Sequence, residues 1–146
     1  MLRRLLVGFD GSDDARAAVR TAVDLASATT GGVAVVAVVP NSRGETESDR
    51  SSAFDAEAGP LRDQAERQVA SCGRPDVPVT VEAVGGDHPG GVLLAYATRT
   101  GSDLLLVGRH GREHAMHSGL GRVTRELVER AQIGVLVVSA HGQRTS

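Results

Sequence analysis

The sequence contains no lysine, so all 16 of its basic residues are arginine. A phosphate-binding loop of the G-x-x-x-x-G-K-[ST] type requires a lysine, and so does Schiff-base chemistry. Both are therefore excluded. Any phosphate held by this chain must be bound by backbone amides and arginine side chains.

Aromatic residues and cysteine are also scarce, with two Phe, one Tyr, no Trp and the single Cys72. Few stacking aromatics and a formal net charge of −2 disfavour nucleic-acid binding. One cysteine cannot form an internal disulfide, which is typical of the cytoplasm. No apolar run approaches membrane-spanning length, since Leu5 to Val7 is soon followed by Asp10. We therefore predict a cytoplasmic protein with no nucleic-acid partner and no membrane association.

The length and composition indicate one globular domain. The chain has 146 residues, of which 40% are hydrophobic and 23% charged, enough to form a sizeable core. We assign residues 1–140 to this domain and residues 141–146 to a polar C-terminal tail.

Apolar segments with the pattern of buried strands alternate with amphipathic segments of helical period. Strands are predicted at residues 3–9, 33–39, 77–84, 103–108 and 135–138. Helices are predicted after the cap Ser12, from Pro60, from Pro89 and over residues 120–131. Helical period places Leu93 on the buried face of the third helix, and Val123, Leu127 and Val128 on the buried face of the fourth. The polar stretch from Asn41 to Ser52 is interpreted as a mobile connection. This βαβαβαβαβ order predicts an α/β fold, with a parallel sheet covered by helices on both faces.

A glycine-rich loop follows the fourth predicted strand. Gly108, Gly111 and Gly121 lie between the apolar strand and the last predicted helix. Glycine allows close backbone approach, and a helix N-terminus favours an anion, so this loop is interpreted as a phosphate cradle. Ligands of parallel sheets bind beyond the carboxyl ends of the strands, where Asp10 and Val38 are also expected. The loop lacks the G-x-G-x-x-G pattern, which argues against a dinucleotide dehydrogenase.

Four segments of the chain resemble the universal stress protein family. The opening strand LLVGFDGS, the fourth strand DLLLVG and the closing strand GVLVV are similar to those of the family. The spacing of Gly108, Gly111 and Gly121 matches the family's nucleotide loop, G-x2-G-x9-G-[ST]. The resemblance extends from Leu2 to about Val138.

The resemblance implies a five-stranded sheet of order 3-2-1-4-5. It also implies a protein that binds ATP, with or without magnesium, and that is usually dimeric. Its implied site residues are Asp10 for the ribose and the phosphate or metal side, Val38 for adenine through its backbone, Gly108, Gly111 and Gly121 for the triphosphate, and the adjoining Arg122 and Val123. One position departs from the family pattern, because Arg122 stands where Ser or Thr is expected. Thr124, two residues after Arg122, has a hydroxyl, but it is displaced from the position that the family pattern expects.

Three functions remain open at this point: a nucleotide-binding stress or signalling module, a dimeric interaction protein whose site was lost through Arg122, and an enzyme such as a slow ATPase. The enzyme ranks last because no Ser/His/Asp arrangement or evident base is visible. The choice among ATP, AMP and a cyclic nucleotide is also open. Asp10 has an alternative role as a cap of the Gly11-Ser12 turn.

Two further features have structural alternatives. His110, His114 and His117 have helical spacing suited to zinc, but the flanking glycines favour a solvated loop. The last strand, Val135 to Val138, carries no charge and would lie at a sheet edge, so we predict a homodimer through it. The alternative is that residues 139–146 fold back and cover this edge.

Overall fold

The computed structural model describes residues 2–41, 44–111 and 119–140, in which strands and helices alternate from end to end. The elements are β1 (Arg4–Phe9), α1 (Asp13–Thr29), β2 (Gly32–Val39), α2 (Glu47–Ser71), β3 (Val79–Gly85), α3 (Pro89–Thr100), β4 (Leu104–Gly108), α4 (Arg122–Arg130) and β5 (Gly134–Val138). The tail residues 141–146 lie outside the described residues.

The described strands form one parallel sheet in the order β3-β2-β1-β4-β5, which confirms the expected α/β fold and strand order. The central strand β1 pairs on one side with β2, where Leu5 lies opposite Val33, and on the other with β4, where Leu5 lies opposite Leu104. Strands β2 and β4 therefore flank β1, and their carboxyl ends meet at one edge of the sheet.

Helices cover both faces of the sheet because alternate strand residues point in opposite directions. Leu5 and Val7 are buried in a cluster with α1 and with Ala65 of α2. Leu6 lies in a second cluster with Leu93 of α3 and with residues of β4 and α4. The fully apolar strands are thus explained by burial on two sides.

The turn between β1 and α1 has the local chemistry that its sequence predicts. Gly11 has a φ of +82°, a backbone conformation that favours glycine. Ser12 caps α1 by accepting a hydrogen bond from the Ala15 N–H, and Asp13 and Asp14 occupy the first turn, where the helix dipole favours acidic residues.

The prediction for the second helix is wrong at its N-terminus. Helix α2 begins at Glu47 rather than at Pro60, so the second half of the stretch interpreted as a mobile connection is helical. Thr46 and Asp49 form a reciprocal capping box that starts the helix. Pro60 lies inside the helix. Ser42 and Arg43 lie outside the described residues. Neither this helix of 25 residues nor any other in the described part of the chain could cross a membrane.

Helix α4 is shorter than predicted, because it begins at Arg122 and ends at Arg130. Leu127 is fully buried and Val123 is partly buried against the core, as expected. Val128 was predicted to face inward, but it is 48% exposed. Successive residues of a helix are rotated by about 100° around its axis. Val128 follows the buried Leu127 and therefore lies off the narrow buried face of α4.

Candidate functional site

A cavity of about 370 Å³ opens beyond the carboxyl ends of the central strands. All seven residues predicted for the site line it: Asp10, Val38, Gly108, Gly111, Gly121, Arg122 and Val123. They come from β1, β2, β4, the following loop and α4. The fold therefore brings together residues as far apart in the sequence as Asp10 and Val123, which are separated by 113 positions.

The side of the cavity nearest β2 is apolar. Val36 and Val38 of β2 line it together with Pro89 and Leu93 of α3. The absence of a Cβ at Gly8 keeps this side open, since a Cβ there would lie 2.8 Å from Leu93 Cδ1. Sequence reasoning identified only Val38 here, because Pro89 and Leu93 were assigned solely to the start and buried face of a helix.

The side nearest β4 is built from glycines and the start of α4. The N–H of Gly121 donates to the Arg109 carbonyl at 2.9 Å, which ties the end of the loop to its beginning. Thr124 donates its hydroxyl to the Gly108 carbonyl at 2.6 Å and so fastens α4 to β4. The displaced hydroxyl noted in the sequence therefore has a structural partner at this strand end.

The first turn of α4 presents backbone N–H groups at this side of the cavity. Its N-cap is Gly121, which has no side chain to accept a hydrogen bond from the turn. Arg122 and Val123, the first helical residues, both line the cavity. The opening N–H groups of a helix have no partner within the helix, and together with the helix dipole they suit an anion.

The glycines of the loop allow close approaches between elements. A Cβ on Gly108 would lie 2.7 Å from Asp14 Cβ and 2.9 Å from the Ala15 nitrogen, so β4 ends against the first turn of α1. A Cβ on Gly111 would lie 3.0 Å from Asp10 Oδ2. A side chain at Gly108 would push β4 and α1 apart, whereas one at Gly111 would displace the Asp10 carboxylate.

Asp10 both supports the turn after β1 and lines the cavity. Its Oδ1 accepts a hydrogen bond from the Ser12 N–H at 2.9 Å, which supports the turn into α1. The same residue lines the cavity, with Oδ2 on the side of Gly111. One carboxylate oxygen is thus engaged in the turn, while the other faces the loop.

His110 was not assigned to the site from the sequence, but it lines the cavity, and the buried Asp14 binds its backbone from behind. Asp14 is only 6% exposed. Its Oδ2 accepts from the His110 backbone N–H at 3.1 Å, and its Oδ1 accepts from the Ala140 N–H at 2.9 Å. These partners are 96 and 126 residues away, so no local pattern identifies the contact.

The three histidines whose spacing would suit zinc lie only partly within the described residues. His114 and His117 lie outside the described residues, and only His110 has a described position. Within the described ranges, no group of three His, Cys, Asp or Glu side chains could hold a metal ion.

Solved structures share this architecture. A universal stress protein UspA from Lactobacillus plantarum is 25% identical, with 94% of this chain and 97% of that one covered and a TM-score of 0.81. A universal stress protein in complex with cAMP is 23% identical, with 93% and 96% covered and a TM-score of 0.73. A universal stress protein from Archaeoglobus fulgidus in complex with dAMP is 20% identical, with 94% and 99% covered and a TM-score of 0.68.

A comparison with curated proteins finds no match. The model of the universal stress protein family, in contrast, matches residues 1–139, nearly the whole chain. The match includes all five strands and every described residue that lines the cavity. The chain therefore belongs to the universal stress protein family.

Proposed function

We propose that this universal stress protein binds an adenine nucleotide, ATP in the first instance, in the cavity at the carboxyl ends of β1, β2 and β4, and that it acts in stress response or signalling in the cytoplasm. Residues 1–140 form the nucleotide-binding domain in this proposal. The observation that carries it is the division of one cavity into an apolar side at β2 and a glycine-lined side at β4. Related universal stress proteins crystallised with cAMP and dAMP support the choice of an adenine nucleotide.

The apolar side suits the adenine ring. Val36, Val38 and Leu93 offer aliphatic surface to a planar base, and cavities that bind small molecules are mostly apolar with a few polar groups that fix orientation. Val38 is the last residue but one of β2, and we expect its backbone to pair with the edge of the base. The cavity volume lies in the lower part of the range typical of ligand sites, roughly 300–1,000 Å³.

The glycine-lined side suits the phosphates. Helix α4 starts at the cavity wall with Gly121 as its N-cap, which has no side chain to compete for the first N–H groups, so we expect these groups to bind phosphate. Asp10 follows β1, the strand between β2 and β4, and we expect its carboxylate to accept hydrogen bonds from the ribose hydroxyls. We expect magnesium to enter with the triphosphate.

Arg122 decides between the two leading hypotheses. Loss of the hydroxyl expected by the family pattern costs about 0.5–1.5 kcal/mol for one neutral hydrogen bond. A guanidinium bound to a phosphate can return roughly 1.5–3 kcal/mol. Arg122 is exposed at the cavity rim, so its side chain is not packed into the phosphate position. Glu126, one helical turn further along, forms its ion pair with Arg130 at 3.5 Å. These contacts favour a site that accepts nucleotide.

The experiment measures binding of ATP with magnesium to the parent protein, Arg122→Ser and Gly111→Val by isothermal titration calorimetry. We expect the parent and Arg122→Ser to bind, and Gly111→Val to lose binding because its side chain would meet Asp10. Gly119→Val is the matched control, because Gly119 belongs to the same loop but does not line the cavity. Mass spectrometry of ligand released from freshly purified, denatured protein identifies the nucleotide.

The alternative function makes the opposite prediction. If the parent does not bind ATP and Arg122→Ser does, arginine blocks the site and the protein is a dimeric interaction module that has lost its nucleotide. Turnover of bound ATP, measured on the same samples, tests the enzyme hypothesis. Fast hydrolysis by the parent would contradict the proposed role as a binding module.

We also propose that the protein is a homodimer that pairs through β5. This strand lies at the edge of the described sheet, and its apolar Leu136 is 37% exposed. Val128, on the neighbouring helix α4, is 48% exposed. An uncharged apolar edge strand invites pairing with another strand, and two-fold pairing with a second copy would close the assembly.

A further inference from the structure

Arg122 places a cationic side chain at the cavity without a partner of its own. It lines the cavity as the first residue of α4, and it is exposed. Within residues 2–41, 44–111 and 119–140, its guanidinium forms neither a hydrogen bond nor an ion pair. A guanidinium carries five N–H donors in a fixed planar arrangement. These donors are therefore available to a ligand at this end of the cavity.

The charged neighbours of Arg122 on α4 are engaged elsewhere. Glu126, one turn further along the helix, pairs with Arg130 at 3.5 Å. Arg125 donates from Nη2 to the Leu120 carbonyl at 3.4 Å. A phosphate that approaches Arg122 would therefore break no ion pair between described residues. The charge-assisted hydrogen bonds that it forms are weakened only by the screening of an exposed charge.

The spacing of the strands determines which part of a nucleotide reaches Arg122. Neighbouring strands lie about 4.8 Å apart, so β2 and β4, on either side of β1, are separated by roughly 10 Å. With the base against Val38 of β2, as proposed above, the base and ribose occupy this distance, and the first phosphate reaches the end of β4. The first turn of α4 is fastened there by the hydrogen bond from Thr124 to the Gly108 carbonyl. We expect any further phosphates to extend past this turn to the rim, where Arg122 is exposed.

We propose that Arg122 makes the cavity selective for nucleotides with more than one phosphate, because its guanidinium binds the phosphates beyond the first. The inference rests on the proposed function and deepens it by naming the ligand class, an adenosine di- or triphosphate. AMP and cyclic AMP, with one phosphate each, engage the backbone at the start of α4 but not the guanidinium. No bond of the nucleotide breaks in this interaction.

The residue type at position 122 is decisive because it differs from the one that the family pattern expects. A Ser or Thr hydroxyl is a single neutral donor on a short side chain. A guanidinium is charged, lies on a longer side chain and can bind two oxygens at once. Exchange of Arg122 for serine should therefore remove the preference for additional phosphates and leave the rest of the cavity in place.

Calorimetry measures the affinity of ATP, ADP, AMP, cyclic AMP and adenosine for the parent and for Arg122→Ser, with magnesium present throughout. Arg125→Ser is the matched control, because it removes an exposed arginine from the same helix at a position that does not line the cavity. Each titration is made at about 0.05 M and about 0.5 M salt, between which the screening of exposed charges differs strongly.

In the parent we expect ATP and ADP to bind more tightly than AMP. The ratio of ATP affinity to AMP affinity should fall roughly 10-fold in Arg122→Ser, the size expected for one hydrogen bond to a charged group, and should stay within about twofold of the parent in Arg125→Ser. The affinities of AMP, cyclic AMP and adenosine should be the same in the parent and in Arg122→Ser. High salt should lower the ratio in the parent more than in Arg122→Ser, because an exposed charge pair is screened.

The outcomes distinguish this inference from the proposed function. If the parent binds none of the five ligands, the proposed function fails, and the inference fails with it. If the parent binds ATP and Arg122→Ser keeps the same ratio of ATP to AMP affinity, the inference is overturned while nucleotide binding stands. An equal fall of the ratio in Arg125→Ser would also overturn it, because the effect would then come from the general positive charge of α4. A ratio in the parent that does not change with salt would contradict the contact between the guanidinium and the phosphates.

Discussion

Gly108→Ala tests how closely β4 approaches α1. The added Cβ would lie 2.7 Å from Asp14 Cβ, 2.9 Å from the Ala15 nitrogen and 3.0 Å from the Asp14 carbonyl carbon. Two of these atoms belong to the backbone, which cannot rotate away as a flexible side chain could. The first turn of α1 or the end of β4 must therefore move.

The cost of this movement follows from what anchors Asp14. Its carboxylate is bound by the His110 and Ala140 N–H groups at 3.1 Å and 2.9 Å, so a shift of the turn stretches both hydrogen bonds. Overpacking of this kind costs about 1–3 kcal/mol, and each weakened hydrogen bond costs up to about 1 kcal/mol. Alanine recovers about 0.5–1 kcal/mol through the lower entropy of its unfolded chain. We expect a net loss of about 2–3 kcal/mol in the free energy of unfolding.

Thermal and urea denaturation measure this loss. For a chain of this size, 1 kcal/mol corresponds to about 2–4 °C, so the melting temperature should fall by about 4–12 °C. Gly91→Ala is the control, because its Cβ would meet only His88 Cβ at 3.9 Å within helix α3. This control should gain about 0.5–1 kcal/mol. A Gly108→Ala protein that melts together with the parent would refute the close approach of β4 to α1.

Three further predictions concern other parts of the molecule. Thr124→Val keeps the shape of the side chain but leaves the carbonyl at the end of β4 without its donor, so urea denaturation should show a loss of about 1–3 kcal/mol; an unchanged midpoint would contradict the role of this hydrogen bond. Burial, followed by the hydrogen bond to Glu82 at 2.8 Å, raises the pKa of Tyr96 above its ordinary value of 10.0. Absorbance titration of this sole tyrosine should therefore give a midpoint above 10.0, lowered by Glu82→Gln, and the associated stability should be complete below pH 10.0 and decline as pH rises through the folded-state pKa. Leu136→Arg should convert the proposed dimer to a monomer in sedimentation velocity, whereas Leu2→Arg, at a residue of similar exposure (38%), should leave it dimeric; a monomeric parent at micromolar concentration would refute the dimer.

Local patterns in the sequence predict most of the fold. The apolar run from Val33 to Val39 indicates a strand buried on two faces, and the structure places helices on both sides of it. Ser12 is recognisable as a helix cap, and Gly11 as the turn before it, because capping and positive φ depend on neighbouring atoms alone. The order of the strands could be predicted only from the resemblance to a known family, because the hydrophobic period does not show which strands are adjacent.

The start of α2 shows where local signals compete. Proline is common at the first position of a helix, so Pro60 suggests a helix start. In the structure the capping box of Thr46 and Asp49 starts the helix instead, and Pro60 lies inside it. The polar composition after Asn41 also suggested a loop, although an exposed helix needs few apolar residues. Val128 was placed inward from helical period, but the width of the buried face is decided by how α4 sits on the sheet.

Some residues of the candidate site can be predicted from the sequence, and others cannot. Gly108, Gly111 and Gly121 are readable from the sequence because their spacing within one loop is itself the pattern. The contact of Asp14 with His110 and Ala140 is not, because it joins a helix start to a loop and a strand exit that are 96 and 126 residues away. Sequence thus determined which segments form strands, helices and a glycine loop, since these depend on neighbours along the chain. Only the tertiary structure decided that the Asp14 carboxylate is buried against the start of that loop, because the packing of the sheet brings its partners His110 and Ala140 to it.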